Sequence, residues 1–193
     1  MEIYDYQFSY ENENKELVAY FREHLFSELN YACDPGVKKY YPGYGEYINN
    51  ERNFFIYEIY PHNGNKEKEE HFLFLQNKIP LFFTKLVQLC VDKGKDIRIN
   101  RVCLVGYQNH THYVSEHMHN PPHNNYVGMY YPHDADHGTE IWQNNKWEIL
   151  PNKKGKMHII PANMLHRFYM QNGDKERIMV ICNISVVDRI NVK

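Results

Sequence analysis

The feature that most constrains this chain is a change of texture near residue 96. From there on, short β-prone runs follow one another at 97–107, 113–118, 126–131, 139–142, 146–150, 157–160, 167–170 and 177–187. Turn chemistry separates them, at Asn109, Asn120-Pro121-Pro122, 132–138, Gln143-Asn144-Asn145, 151–155, Ala162-Asn163 and Asn172-Gly173-Asp174. Short strands spaced this evenly point to an antiparallel sandwich or jelly roll. The expected fold class is therefore mainly β with flanking α-helices.

The helices come from the first half. Asn14-Lys15-Glu16 opens a helix through Leu17, Val18, Tyr20, Phe21, Leu25 and Leu29, apolar at helical spacing. Residues 53–60 read as a strand and 63–70 as a charged loop. A second helix, 79–92, carries Leu81, Phe82, Leu86, Leu89 and Cys90, with Gly94 as its C-cap. No repeat or Pro/Gly linker divides the chain. A single domain over 1–193 is expected, with a helical and mixed elaboration at 1–95 and a β core at 96–188. The aromatic stretch 40–47 reads either as a lid over the barrel mouth or as a packed surface loop.

Composition removes several function classes. Asp and Glu total 24 and Lys and Arg 22, a net charge of −2. A dedicated nucleic-acid binder would show a basic stripe, so nucleic acid is not the expected partner. No apolar run approaches the roughly 18 residues of a membrane helix. The start, Met-Glu-Ile-Tyr-Asp, lacks the basic and apolar segments of a secretion signal. A cytoplasmic protein that does not enter membranes is expected. Cys33, Cys90, Cys103 and Cys182 form no C-x-x-C pair and read as reduced, mostly buried thiols.

Histidine is the outlier: nine of the 12 fall between His110 and His166. Strand alternation puts residues i and i+2 on one face, so His117-Met118-His119 turns two imidazoles to the same side. His166 follows the run Met157-His158-Ile159-Ile160-Pro161, and a jelly roll can return it to face that pair. Two ligands close in sequence and one from a distant strand make a facial metal triad with open positions. The competing reading is a solvated polar strand end with His166 as a hydrogen-bonded core residue. His110, His112, His123, His133 and His137 sit in expected loops around the barrel mouth, either as contacts to the site or substrate or simply exposed, and His158 would lie near the metal if its strand faces inward.

The order of motifs around these histidines resembles the Fe(II)/2-oxoglutarate-dependent oxygenases, most of all their prolyl-hydroxylase branch. Tyr107 to Pro121, with Tyr113-Val114 upstream of His117-Met118-His119-Asn120-Pro121, is similar to the stretch entering that family's H-x-D motif. Val127-Gly128-Met129-Tyr130-Tyr131 and Gly138-Thr139-Glu140-Ile141 resemble its next two elements. Gly155 to His166 is similar to the strand leading to the distal histidine, and Arg177 stands eleven residues further on, where the family keeps a basic residue. The resemblance covers about residues 97–187.

What the resemblance implies is specific. The fold would be a double-stranded β-helix of the jelly-roll or cupin-like kind. His117 and His166 would ligate Fe(II), and His119 stands at the carboxylate position. Arg177 would pair with the distal carboxylate of 2-oxoglutarate through its bidentate fork, supported by the Tyr107 hydroxyl. With dioxygen, the co-substrate would be converted to succinate and a C–H bond of an unidentified peptide or small molecule hydroxylated. The departure is His119, since H-x-H replaces H-x-D. Three neutral imidazoles leave a site at +2 rather than +1, favouring anionic co-ligands. Alternatively Glu116 or a water takes the third position, and a slipped register would make His119 the first ligand and Pro121 an empty second position. Two other functions stay open: a three-His cupin-type dioxygenase without 2-oxoglutarate, and a non-catalytic jelly-roll binding module.

Overall fold

A computed structural model of the chain describes residues 2–24, 54–61, 63–107, 112–119, 123–170 and 177–189. The aromatic stretch 40–47 and Cys33 lie outside them. In chain order the elements are β1 (Tyr4–Gln7), α1 (Glu11–His24), β2 (Phe54–Tyr60), α2 (Lys66–Lys78), α3 (Pro80–Val91) and β3 (Asp96–Tyr107). Then follow β4 (His112–His117), β5 (Tyr126–Tyr131), β6 (Thr139–Gln143), β7 (Lys146–Leu150), β8 (Lys156–Pro161), β9 (His166–Met170) and β10 (Arg177–Val187).

The strands form two antiparallel sheets. The larger runs β1-β8-β5-β10-β3-β2 and the smaller β4-β9-β6-β7. All eight β-prone runs of the second half are strands, and β3, β5, β8 and β10 each alternate a face toward one apolar layer and a face toward another. In β10, Ile178, Val180, Cys182 and Ile184 enter the layer beneath the helices, while Met179 and Ile181 enter the layer between the sheets. In β3, Val102 and Leu104 take the first side and Cys103 and Val105 the second.

The helices cover the outer face of the larger sheet. Leu17 and Phe21 of α1, Leu75 of α2 and Phe82, Leu86, Leu89 and Cys90 of α3 all join this layer, together with Ile79, which caps both α2 and α3. Gly128 of β5 faces them, and a Cβ there would lie 2.9 Å from Leu86 Cδ2. Glycine lets α3 approach the sheet closely at this point. Asn14 brings a polar group into the layer and accepts a hydrogen bond from the Tyr130 hydroxyl at 2.5 Å.

Two elements differ from expectation. Residues 63–70 are not simply a charged loop, since α2 begins at Lys66. Asn65 caps it by accepting from the Lys68 N–H at 3.1 Å, and Glu67 and Glu69 meet the positive end of the helix. Its buried side is narrow, His71 and Leu75 one turn apart, so the charged first turn masks the helical period. The second is β1, which the sequence pattern did not separate from its surroundings. It pairs along β8, Tyr4 opposite Ile159. Gly155, at φ +72°, anchors its end by accepting from the Phe8 N–H at 2.8 Å, and a Cβ there would lie 2.2 Å from Phe8 O. No helix among the described residues is long and apolar enough to cross a membrane.

Candidate metal centre

His117 ends β4 and His166 begins β9, and the two are directly paired across the smaller sheet. Their ring centroids lie 4.2 Å apart. His119 sits two residues beyond β4, where its N–H donates to Ala162 O and its carbonyl accepts from Asn124 Nδ2, both at 2.9 Å. These bonds turn its ring back over His166, nearly parallel at 7°. The result is a cluster in which one nitrogen from each ring lies within 4.8 Å of the others. His119 and His166 are buried, and His117 keeps one side toward solvent.

The chemistry of these nitrogens suits a metal. His166 Nδ1 donates to the Met164 carbonyl at 2.9 Å, which leaves Nε2 with its lone pair facing the cluster. Burial, reinforced by His117 and Arg177, holds the His166 pKa down at about 3. Burial followed by His166, His117 and Arg101 holds His119 well below the ordinary value. Both rings are therefore neutral at ordinary pH, the state in which an imidazole can bind a metal. His119 Nε2 and His166 Nε2 are 3.1 Å apart. Two cis ligands bound at about 2.1 Å would be separated by about 3 Å, so this pair fits one ion without rearrangement. Imidazole donors suit iron, zinc, copper and nickel alike.

Glu116 does not join the cluster. It is exposed and accepts from Arg167 Nη1 at 3.3 Å. Strand alternation puts it on the face opposite His117. Pro121 and His110 lie outside the described residues. His158 is buried but bonds Asp5 and the Pro151 carbonyl, away from the cluster. His123 is exposed, and His133 accepts from the Ile178 N–H at 3.0 Å.

Arg177, the first residue of β10, is 1% exposed. Its Nη2 donates to Thr139 Oγ1 at 2.6 Å, and its guanidinium lies 3.7 Å over the Phe168 ring and 5.5 Å from that of Tyr131. With the Asn152 amide turned so that its nitrogen donates to His133 O at 3.2 Å, its oxygen accepts from Arg177 Nε at 3.1 Å. Tyr131 completes the group through a 3.0 Å hydrogen bond between its hydroxyl and Thr139 Oγ1. The Arg177 charge also lowers the His166 pKa. Tyr107 stands directly across from Arg177 in the β3–β10 ladder.

Sequence reasoning passed over Thr139, Tyr131, Asn152, Phe168 and Asn183. Alternation along β5 and β10 was the available signal, since Tyr131 shares a face with Met129, and Asn183 with Met179 and Ile181.

No family model matches the sequence, and no curated protein matches it closely. The structure does find relatives. A prolyl hydroxylase from Trichoplax adhaerens, solved with a hypoxia-inducible-factor peptide fragment, superposes with a TM-score of 0.62 over 96% of this chain and 83% of its own, at 12% identity. A Pseudomonas putida prolyl-4-hydroxylase gives 0.58 over 97% and 93%, also at 12% identity. The chain has the fold of the Fe(II)/2-oxoglutarate oxygenases. A viral collagen prolyl hydroxylase from Paramecium Bursaria Chlorella virus-1 matches in the same way, at 0.57 over 97% and 91% with 12% identity. The two-sheet architecture is thus that fold's double-stranded β-helix, and its three-histidine cluster lies on β4, the segment just after it, and β9.

Proposed function

We propose that this protein is an Fe(II)- and 2-oxoglutarate-dependent oxygenase that hydroxylates a C–H bond of a peptidyl substrate. The observation that carries the reading is Arg177, a guanidinium 1% exposed between the sheets, held by Thr139 Oγ1 and close enough to the histidine cluster to lower the His166 pKa. A guanidinium is the side chain best shaped to receive a carboxylate through two parallel hydrogen bonds. An anionic co-substrate reaching from the histidines would present its far carboxylate to this fork.

The residues divide the work. His117, His119 and His166 would hold Fe(II), which when bound activates dioxygen for oxidation of the co-substrate and substrate. Arg177 receives the distal carboxylate of 2-oxoglutarate, and Thr139 and Asn152 hold its fork in place. The Tyr131 hydroxyl is the described phenol at this end, and Tyr107 is carried forward as the second candidate. Phe168, Met179 and Met129 belong to the apolar layer between the sheets, and such low-dielectric surroundings would strengthen a carboxylate–guanidinium pair. With no carboxylate in the cluster, the centre attracts anions more strongly than an H-x-D site. The peptidyl class follows the prolyl hydroxylases of the same fold.

The H-x-H motif itself favours a second reading, a three-His dioxygenase that needs no 2-oxoglutarate. One experiment separates them. Fe(II) is added anaerobically to the protein, then 2-oxoglutarate, and the weak visible charge-transfer band of the chelate is sought. A band that is lost in His166→Ala and much weakened in Arg177→Met is expected. No band in the wild type overturns the proposal. A band that persists in Arg177→Met removes the co-substrate role of that residue and leaves the metal site.

A further inference from the structure

Asn183 is a buried polar residue to which the reading above gives no role. It lies on the face of β10 that carries Met179 and Ile181 into the space between the sheets, and it is 4% exposed. The β10–β3 register shifts between Asn183 and Ile184. Irregularities of this kind re-aim side chains beside functional sites. Asn183 Oδ1 and His119 Nδ1 are both buried, and neither has a hydrogen bond of ordinary geometry. The sheet brings the two segments together: Asn183 stands opposite Val127, Val127 opposite Ile160, and the His119 N–H bonds Ala162 O two residues beyond Ile160.

A neutral imidazole carries one N–H, so the two nitrogens cannot both donate or both ligate. His119 Nε2 is the nitrogen facing His166 Nε2, at 3.1 Å. If Nε2 is the ligand atom, the proton of His119 sits on Nδ1 and needs a buried acceptor. His166 solves the same problem with a backbone group, the Met164 carbonyl. His119 Nδ1 has no such bond. A carboxylate at this position would need no choice of tautomer, whereas the substituted histidine does.

We propose that Asn183 is the positioning residue of the third histidine, its Oδ1 accepting the Nδ1 proton of His119 and so holding Nε2 as the metal-ligating atom. The proposal rests on the three-histidine metal centre argued above. Partners of ligand imidazoles fix both tautomer and ring orientation, and losing one typically weakens metal binding about 10- to 100-fold. Asn183→Leu keeps the approximate volume and removes the acceptor. Asn183→Asp restores an acceptor.

The test is a Co(II) titration of the full chain, followed by visible absorption, for the wild type and both variants. Asn183→Leu is expected to bind about 10- to 100-fold more weakly, and Asn183→Asp to return to within a few-fold of the wild type. A merely structural role would leave the two variants alike in Co(II) affinity. Wild-type protein that binds no Co(II) overturns the metal centre and this proposal together. Wild-type binding that Asn183→Leu leaves unchanged overturns this proposal alone. Should Asn183→Leu fail to fold, the Zn(II)-loaded wild type still decides through nitrogen-15 NMR of its imidazoles. A solvent-protected His119 Nδ1–H supports the proposal, and ligation through Nδ1 or a freely exchanging proton overturns it.

Discussion

The two faces of β10 lie on one backbone and meet different demands. Toward the helices it presents Ile178, Val180, Cys182 and Ile184, all buried in an apolar layer that Phe82, Leu86 and Leu89 of α3 complete. Toward the smaller sheet it presents Met179, Ile181 and the buried polar Asn183, and at its start the buried guanidinium of Arg177. The first face repays the entropy of folding through the area it removes from water. The second places a charge, an amide and, opposite them, two depressed histidines where water is largely excluded. Polar groups so placed must be satisfied by precise partners, or they cost more than they return. The comparison teaches that stability and site chemistry alternate along this strand with a period of two residues, so mutations on the two faces should separate cleanly.

The largest separation is expected between His166→Ala and Phe82→Ala. Removing His166 takes away the central member of the cluster, and Co(II) absorption should disappear in a protein that still unfolds cooperatively. Removing Phe82, fully buried against Phe83 and Tyr130, should cost about 3–5 kcal/mol by urea denaturation. Below its midpoint the Phe82→Ala protein should bind one Co(II) per chain as before. A Phe82 variant that loses metal while still folded would break the separation.

Arg177→Met sharpens the same contrast. The substitution removes a buried charge and leaves Thr139 and Asn152 short of one partner, so its stability change should be well below that of Phe82→Ala. Affinity for 2-oxoglutarate should nevertheless fall by about 2 kcal/mol or more, about thirtyfold, in competition or calorimetric measurements on the Fe(II)-loaded protein. Equal losses in stability and affinity would show that the residue acts through the fold.

Gly128→Ala probes the helix side with a smaller change. The added methyl meets Leu86 Cδ2, the end of a flexible side chain, so overpacking of about 1–2 kcal/mol is expected. Leu86→Val in the same chain should recover part of it, because residues in contact do not add independently. Full additivity would mean that the sheet, rather than Leu86, absorbs the strain.

Much of the helix-side face was legible in advance and much less of the inner one. Ile178, Val180, Cys182 and Ile184 repeat every second residue, and Phe82, Leu86 and Leu89 at helical spacing, so local periodicity reports their burial. His117 and His119 were legible for the same reason, and His166 through the order of strands around it. Tyr131, Thr139, Asn152 and Asn183 have no such signature. Each is a single polar residue whose role depends on what a distant strand brings beside it, Asn152 from the β7–β8 turn and Thr139 from β6. A lone asparagine in a strand carries no spacing to read. The helix α2 was hidden for a related reason, since Lys66-Glu67-Lys68-Glu69-Glu70 looks solvated until Asn65 caps it and His71 and Leu75 are seen to face the core.

The smallest effect concerns pH and belongs wholly to the helix side. Tyr20 of α1 hydrogen-bonds His71 of α2, and burial, followed by Glu70 and Glu67, raises its pKa to about 12. The folded chain therefore keeps this phenol protonated where the unfolded chain, titrating near 10, has begun to lose its proton. The sign follows from linkage: between about pH 10 and 12 the folded state binds more protons, so stability falls as pH rises. Below about pH 10 the contribution is complete. Tyr20→Phe should remove its share of this loss, flattening the alkaline limb of stability against pH at the expense of the bond to His71. Because Tyr20 lies on the far side of the larger sheet from the histidines, Co(II) absorption recorded through the same range should persist until the chain unfolds. A metal signal that fades with the Tyr20 phenolate, ahead of unfolding, would show that the two faces are coupled.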